Sequence, residues 1–170
     1  MSTRLESKNF KIVNFDKKYA KEICELESAQ WGDWDDEGCI EEVKEDEIIL
    51  IALNEDNFVG MISGKLEQDV FHLLICCIKP EFQKMGLGTI LLKEIMKKAS
   101  KKFKLAKFRA EAISVYGKCN AKRVLEKEGF QLVRIDEKYW GNLYPHVVCK
   151  ECLKSPCECD SFVFELENKI

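Results

Sequence analysis

The stretch 70–102 constrains the fold more than any other part of the chain. A near-continuous apolar run (Phe71, Leu73, Leu74, Ile75, Cys76, Cys77, Ile78) ends at Pro80, and Gly86-Leu87-Gly88 follows at the head of an amphipathic segment. The lack of alternation in that run predicts a central strand covered on both faces. Residues 86–102 set Leu87, Ile90, Leu91, Ile95 and Met96 on one side and lysines on the other, the period of a surface helix. A buried strand that feeds a glycine-rich turn and then a helix is the unit of an α/β sheet.

The neighbouring segments extend this unit in both directions. Phe10, Ile12 and Val13 open a short strand, and Asp16 is placed to cap a helix carrying Tyr19, Ile23 and Leu26. Residues 33–46 are expected to hold a second short helix. Residues 48–53 and 58–66 read as a hairpin around the turn 54–57. Strands are predicted at 108–113, 130–135 and 161–166, with a helix over 120–128 ended by Gly129. Strands interleaved with helices after an opening hairpin give a mixed α/β sandwich. The chain of 170 residues is expected to form one domain, 1–170, with residues 141–160 as an insertion before the last strand.

Composition removes several function classes. With 46% hydrophobic and 34% charged residues the chain is not of the disordered or fibrous kind, and a net charge of −3 argues against coating nucleic acid. No apolar stretch reaches the ~18 residues of a membrane span, and the first fifteen residues are too polar for a secretion signal. A cytoplasmic protein with no membrane partner is the expectation. Charge is unevenly spread: residues 31–47 hold nine acidic residues against Lys44, while residues 79–109 hold ten basic residues against Glu81 and Glu94.

The loop Gln83-Lys84-Met85-Gly86-Leu87-Gly88-Thr89 has the character of an anion cradle. Glycines let the backbone approach a ligand, the first N–H groups of the helix are unpaired, the helix dipole favours a diphosphate, and Lys84 adds charge. A tight strand-to-helix connection is the plainer alternative. Neither the Walker ending nor the G-x-G-x-x-G of dinucleotide folds is present.

Gln83-Lys84-Met85-Gly86-Leu87-Gly88, after a hydrophobic-x-Pro step, resembles the acetyl-CoA motif Q/R-x-x-G-x-G/A of the GCN5-related N-acetyltransferase (GNAT) superfamily. Arg123-Val124-Leu125-Glu126-Lys127-Glu128-Gly129-Phe130 resembles its second landmark, a helix ending in a Gly-Phe step. The resemblance runs from about residue 10 to 135, with 161–167 as the final strand. It implies a mixed, mostly antiparallel central sheet flanked by helices. It also implies transfer of an acetyl group from acetyl-CoA to a primary amine. The strand at Cys76, Cys77 and Ile78 would splay from its neighbour and pair with the pantetheine arm, Gln83 to Thr89 would hold the pyrophosphate, and Asn120, two positions late, would contact the arm. Family members often carry a Tyr as proton donor where this sequence has Leu125. Tyr116 is the favoured substitute, with Cys119, Tyr139 and Tyr144 as others, or the thiolate leaves unassisted.

The amine must lose a proton before attack, so a base is needed, and His72 and Glu111 are the candidates. Each has a plainer alternative, His72 as an exposed strand residue and Glu111 as a partner for a lysine. In the family the acidic segment with Trp31 and Trp34 would border the acceptor site, where acid and aromatic faces favour a cationic amine. A solvated acidic helix with two core tryptophans is the alternative there. Peptide N-termini, lysine side chains and polyamines remain open, as does a homodimer.

Cysteine use makes one further expectation. Without an export signal, thiols and metal ligands are favoured over disulfides, and Cys24, Cys39, Cys76, Cys77 and Cys119 lie scattered. Cys149, Cys152, Cys157 and Cys159 instead form C-x2-C-x4-C-x-C, which suits a structural Zn2+ knuckle, with His146 as a spare ligand. Two disulfides or an iron–sulfur cluster are the alternatives. A noncatalytic acyl-CoA-binding or partner-docking module is the competing function.

Overall fold

The computed structural model describes residues 10–32 and 39–168. Among the described residues, seven strands form one sheet in the order β1-β2-β3-β4-β5-β7-β6. β1 (Phe10–Asn14), β2 (Glu47–Asn54), β3 (Asn57–Glu67) and β4 (Val70–Ile78) pair antiparallel in succession. β5 (Lys107–Ser114) runs parallel to β4, and β7 (Asp160–Glu167) lies between β5 and β6 (Gln131–Asp136), antiparallel to both. The sheet is therefore mixed and mostly antiparallel, as the resemblance implies. Tight two-residue turns close the β2–β3 and β3–β4 hairpins, with Glu55 and Gln68 in the left-handed region.

Among the described residues the helices are α1 (Ala20–Trp31), α2 (Leu87–Lys102), α3 (Lys122–Lys127) and α4 (Tyr139–Leu143). The two faces of the sheet are covered separately. Leu87, Leu91, Leu92 and Ile95 of α2 and Leu125 of α3 pack on Leu50, Ile62, Phe71, Phe108 and Phe164. On the other face Ile23 and Leu26 of α1 pack on Ile49, Ile51, Met61 and Cys77. Among the described residues no helix is long and apolar enough to cross a membrane.

Several expectations are corrected here. Residues 39–46 are not helical, and 33–38 lie outside the described residues. Glu41/Glu45 and Glu42/Asp46 would set like charges at i, i+4, which opposes a helix. Asp16 caps a 3-10 turn (Lys17–Tyr19), accepting from the Lys18 N–H at 3.0 Å, and α1 begins only at Ala20. α4 falls in a segment where no helix was predicted.

β4 is central but not covered throughout, because Leu74 and Cys76 are exposed. Its ladder with β5 runs only from Val70↔Lys107 to Leu73↔Ala110. At the same point the pairing with β3 jumps from Gly64↔Leu73 to Ser63↔Ile75, so that Leu74 is an extra residue, a β-bulge. Gly64 allows the bulge: a Cβ there would stand 2.4 Å from the Phe71 ring. β5 continues to Ser114 paired with β7 alone. Beyond the bulge, then, β4 and β5 part.

Candidate active site and thiol cluster

On the α2 side of this split lies the glycine loop. A 3-10 turn (Pro80–Phe82) leads into it, and the Gln83 side-chain amide donates to the Ile78 carbonyl at 2.9 Å, holding the loop against the end of β4. Lys84 (φ 60°) and Gly86 (φ 82°) both adopt left-handed backbone, and no atom lies within 4 Å of a Cβ built on Gly86. Space in front of Gly86 is thus open. The first helical bond of α2 is Ile90 N–H to Gly86 O at 3.1 Å, so the N–H groups of Leu87, Gly88 and Thr89 have no acceptor within the helix. Leu87 is buried in the core and anchors the turn. The loop and the sixteen-residue helix behind it have the geometry that suits an anion.

The free half of β4 is held from the α1 side. Gln30 donates its amide to the Ile78 carbonyl at 2.6 Å, and the Trp31 indole N–H donates to the Cys77 thiol at 3.0 Å. Burial pushes that thiol up to about 12, against the Trp31 hydrogen bond and with the charge of Glu27 adding to the rise. Neither Gln30 nor this role of Trp31 is visible in sequence, because the contacts join segments 48 and 46 residues apart. Trp34 and Asp33, Asp35, Asp36 and Glu37 of the acidic segment lie outside the described residues.

Glu111 is the first residue of β5 beyond its ladder with β4. Phe108 and Ala110 face the α2 core, so alternation turns Glu111 to the opposite face. There its charge reaches the Tyr139 hydroxyl. Burial first, and then the nearby Glu111 carboxylate, hold the Tyr139 hydroxyl above the usual phenol range. His72 sits in the closed half of the ladder, opposite Arg109 and 3.8 Å from Glu67. Tyr116 is 69% exposed in the turn after β5, with Lys154 5.8 Å over its ring. Asn120 is exposed before α3. The fold thus pairs Glu111 with Tyr139, and sets His72 in the closed ladder and Tyr116 in an exposed turn.

The four crowded cysteines converge. Their sulfurs all lie within 4.8 Å of one another, with Cys149 and Cys159 3.9 Å apart and Cys152 and Cys157 3.8 Å apart. A tetrahedron with Zn–S of about 2.3 Å has edges of about 3.8 Å, so the donor set fits Zn2+. Disulfides among them are not formed. Cys149, Cys157 and Cys159 are buried and Cys152 is half-buried, while His146 is exposed and not of the group. The Cys159 N–H points at the Cys157 sulfur at 3.4 Å, a contact that favours thiolate. Partial burial raises the Cys152 thiol, yet N–H groups of Glu158 and Lys154 and the neighbouring thiols bring it down to about 7. Burial pushes Cys157 up to about 12 and Cys159 higher still. Cys24 and Cys39, read as separate thiols, are joined as a disulfide with their Cα atoms 5.4 Å apart.

The model of the acetyltransferase (GNAT) family matches residues 12–130, and the chain belongs to that family. A comparison with curated protein sequences finds no match. Among solved structures the chain is similar to a Bacillus subtilis acetyltransferase in complex with CoA, at TM-score 0.73 and 17% identity over 95% of this chain and all (100%) of that one. It is similar to the ribosomal-protein-S18-alanine N-acetyltransferase of Escherichia coli, at TM-score 0.71 and 15% identity, covering 95% and 96%. A GNAT acetyltransferase of Elizabethkingia anophelis with acetyl-CoA bound gives TM-score 0.65 and 18% identity, covering 94% and 99%. These likenesses are likenesses of fold.

Proposed function

We propose that the protein transfers an acetyl group from acetyl-CoA to a primary amine. The observation that carries this is the end of the β4–β5 ladder at Leu73↔Ala110, which leaves Cys76 and Cys77 without a β5 strand partner, between two chemically different faces. On one face, the loop Gln83 to Thr89 suits the coenzyme's pyrophosphate. A pantetheine arm paired with the free edge of β4 would carry the thioester through the split toward Glu111. Glu111 then takes a proton from the substrate ammonium, directly or through a water. The freed amine nitrogen attacks the thioester carbon, the C–S bond breaks, and the departing thiolate takes the Tyr139 proton. Tyr139, kept protonated by its raised pKa, recovers a proton from Glu111, and the second proton that the nitrogen sheds as the amide forms passes to solvent water. The acceptor is a cation before it reacts, and Glu27 and Glu111 give this side an acidic character. Peptide N-termini, lysines and polyamines share that chemistry.

The four thiols are proposed to hold one Zn2+. A closed tetrathiolate site supplies folding energy and leaves no position for a reacting water. Purified protein should contain about one zinc per chain.

The test is thiol release from acetyl-CoA across a panel of primary amines, with coenzyme binding followed by calorimetry. Binding with no turnover on any amine would favour the noncatalytic acyl-CoA module. No binding would remove the acetyl-CoA reading altogether.

A further inference from the structure

We infer that the four-thiol knuckle is a metal-set clamp that fixes both walls of the acceptor side of the split. The substrate those walls enclose rests on the acetyltransferase reading above; the clamp itself does not.

The knuckle reaches the two sides of the split by different routes. Lys150, between Cys149 and Cys152, donates its ammonium to the Ser28 carbonyl at 2.7 Å, in the last turn of α1. That same turn supplies Gln30 and Trp31, which hold Ile78 and Cys77 on the unpaired half of β4. The other route runs through α4. A Cβ on Gly141 would stand 2.0 Å from the Cys157 carbonyl oxygen, so helix and knuckle touch backbone to backbone. Trp140 packs on the buried cysteines and donates its indole N–H to Asp160 O at 3.1 Å, while the Lys138 N–H donates to the Asp160 carboxylate at 3.0 Å. Tyr139, between them in sequence, lies within reach of the Glu111 charge. β4 and β5 have no ladder joining them at this level, so the knuckle is a bridge between the arm-holding strand and the base-bearing strand.

The metal enters because thiols form the buried centre of this segment. The buried residues of its cluster are Cys149, Cys157 and Cys159 themselves, with Ile113, Val115 and Trp140 packed around them. What the thiols bind therefore decides where Lys150 and Cys157 stand, and through them the end of α1 and all of α4. Zinc loss should raise the KM for the amine by a factor within the about 5–150-fold range of coupled sites. Acetyl-CoA affinity should fall less than amine affinity: Gln83 shares the Ile78 carbonyl with Gln30, but the head of α2 is anchored separately by Leu87 in the core.

The test is hydrogen exchange by mass spectrometry on the whole zinc-loaded protein, before and after chelation. Faster exchange is expected at residues 28–32 and 138–144, with residues 87–92 unchanged. Lys150→Ala, which keeps the thiols, should retain zinc and speed exchange at residues 28–32 alone while raising the amine KM. Absence of zinc, a change confined to residues 145–159, or a rise that includes residues 87–92 would each overturn the clamp. Exchange is readable whether or not any amine is acetylated, so failure of the acetyltransferase reading would be seen separately.

Discussion

The two faces of the split are made in opposite ways. The proposed coenzyme side is a short contiguous loop that would offer backbone N–H groups at the head of α2, with glycine conferring access. The acceptor side is assembled from side chains delivered by the end of α1, the open half of β5, and α4. A backbone-built site needs local conformation only, and it survives wherever the loop survives. A side-chain-built site needs several distant segments in register at once, so it depends on whatever holds those segments together.

The sharpest way to break this contrast is at Glu111. Glu111→Gln keeps the shape and removes the base, so the rate should fall by ~10²–10⁴-fold and lose its alkaline rise, with coenzyme affinity unchanged. His72→Gln is the control from the closed part of the ladder and should keep the parental pH–rate profile. The reverse result would move the base to His72. A loss on the other face should look different. Gly86→Glu sets a carboxylate where the diphosphate would lie and strains a left-handed residue by about 1–2 kcal/mol. Acetyl-CoA binding should drop at least ~100-fold by calorimetry. Unchanged affinity would remove the loop from the site.

A smaller effect sharpens the picture of the acceptor-side sheet. Glu165 on β7 accepts from Arg109 Nε at 2.8 Å and from Lys107 at 3.0 Å, with only 18% of its side chain exposed. Burial would raise its pKa, but Arg109 and Lys107 outweigh it and hold the carboxyl below its usual range. A depressed carboxylate stabilises the fold above its unfolded pKa of about 4.3, and that stability is lost as pH falls through the lower folded value. Glu165→Gln should therefore cost about 2 kcal/mol at neutral pH and less on the acid limb, read by denaturant titration across pH. A pH-independent loss would mean that packing, not charge, sets its contribution.

The same contrast explains what could be read in advance. β4, the hairpin and the amphipathic run of α2 announce themselves by pattern, and the phosphate loop does so because its residues are consecutive. The thiol cluster was legible for the same reason, four cysteines inside eleven residues of sequence. The split was not legible from composition, since it comes from the pairing of Leu73 with Ala110 stopping where Leu74 bulges. Tyr139 stood only as one of several proton donors, because nothing local marks which tyrosine a distant carboxylate will meet. Cys24 and Cys39 looked scattered for a like reason: their closeness is a property of how the chain returns to α1, not of their spacing.

The position of β7 has a consequence for the order in which the protein can be made. β6 has β7 as its ladder partner, although residues 131–136 leave the ribosome well before residues 160–167. Until then Leu132, Val133 and Ile135, which stay 37%, 52% and 48% exposed even in the finished fold, belong to a strand with no neighbour, and Phe162 and Phe164 are missing from the core. The nascent chain thus carries an open, apolar strand edge through the synthesis of the whole knuckle. Edges of that kind pair with other chains when they can, so slowing or truncating synthesis between residues 136 and 160 should expose this protein to aggregation more than the same delay before β4.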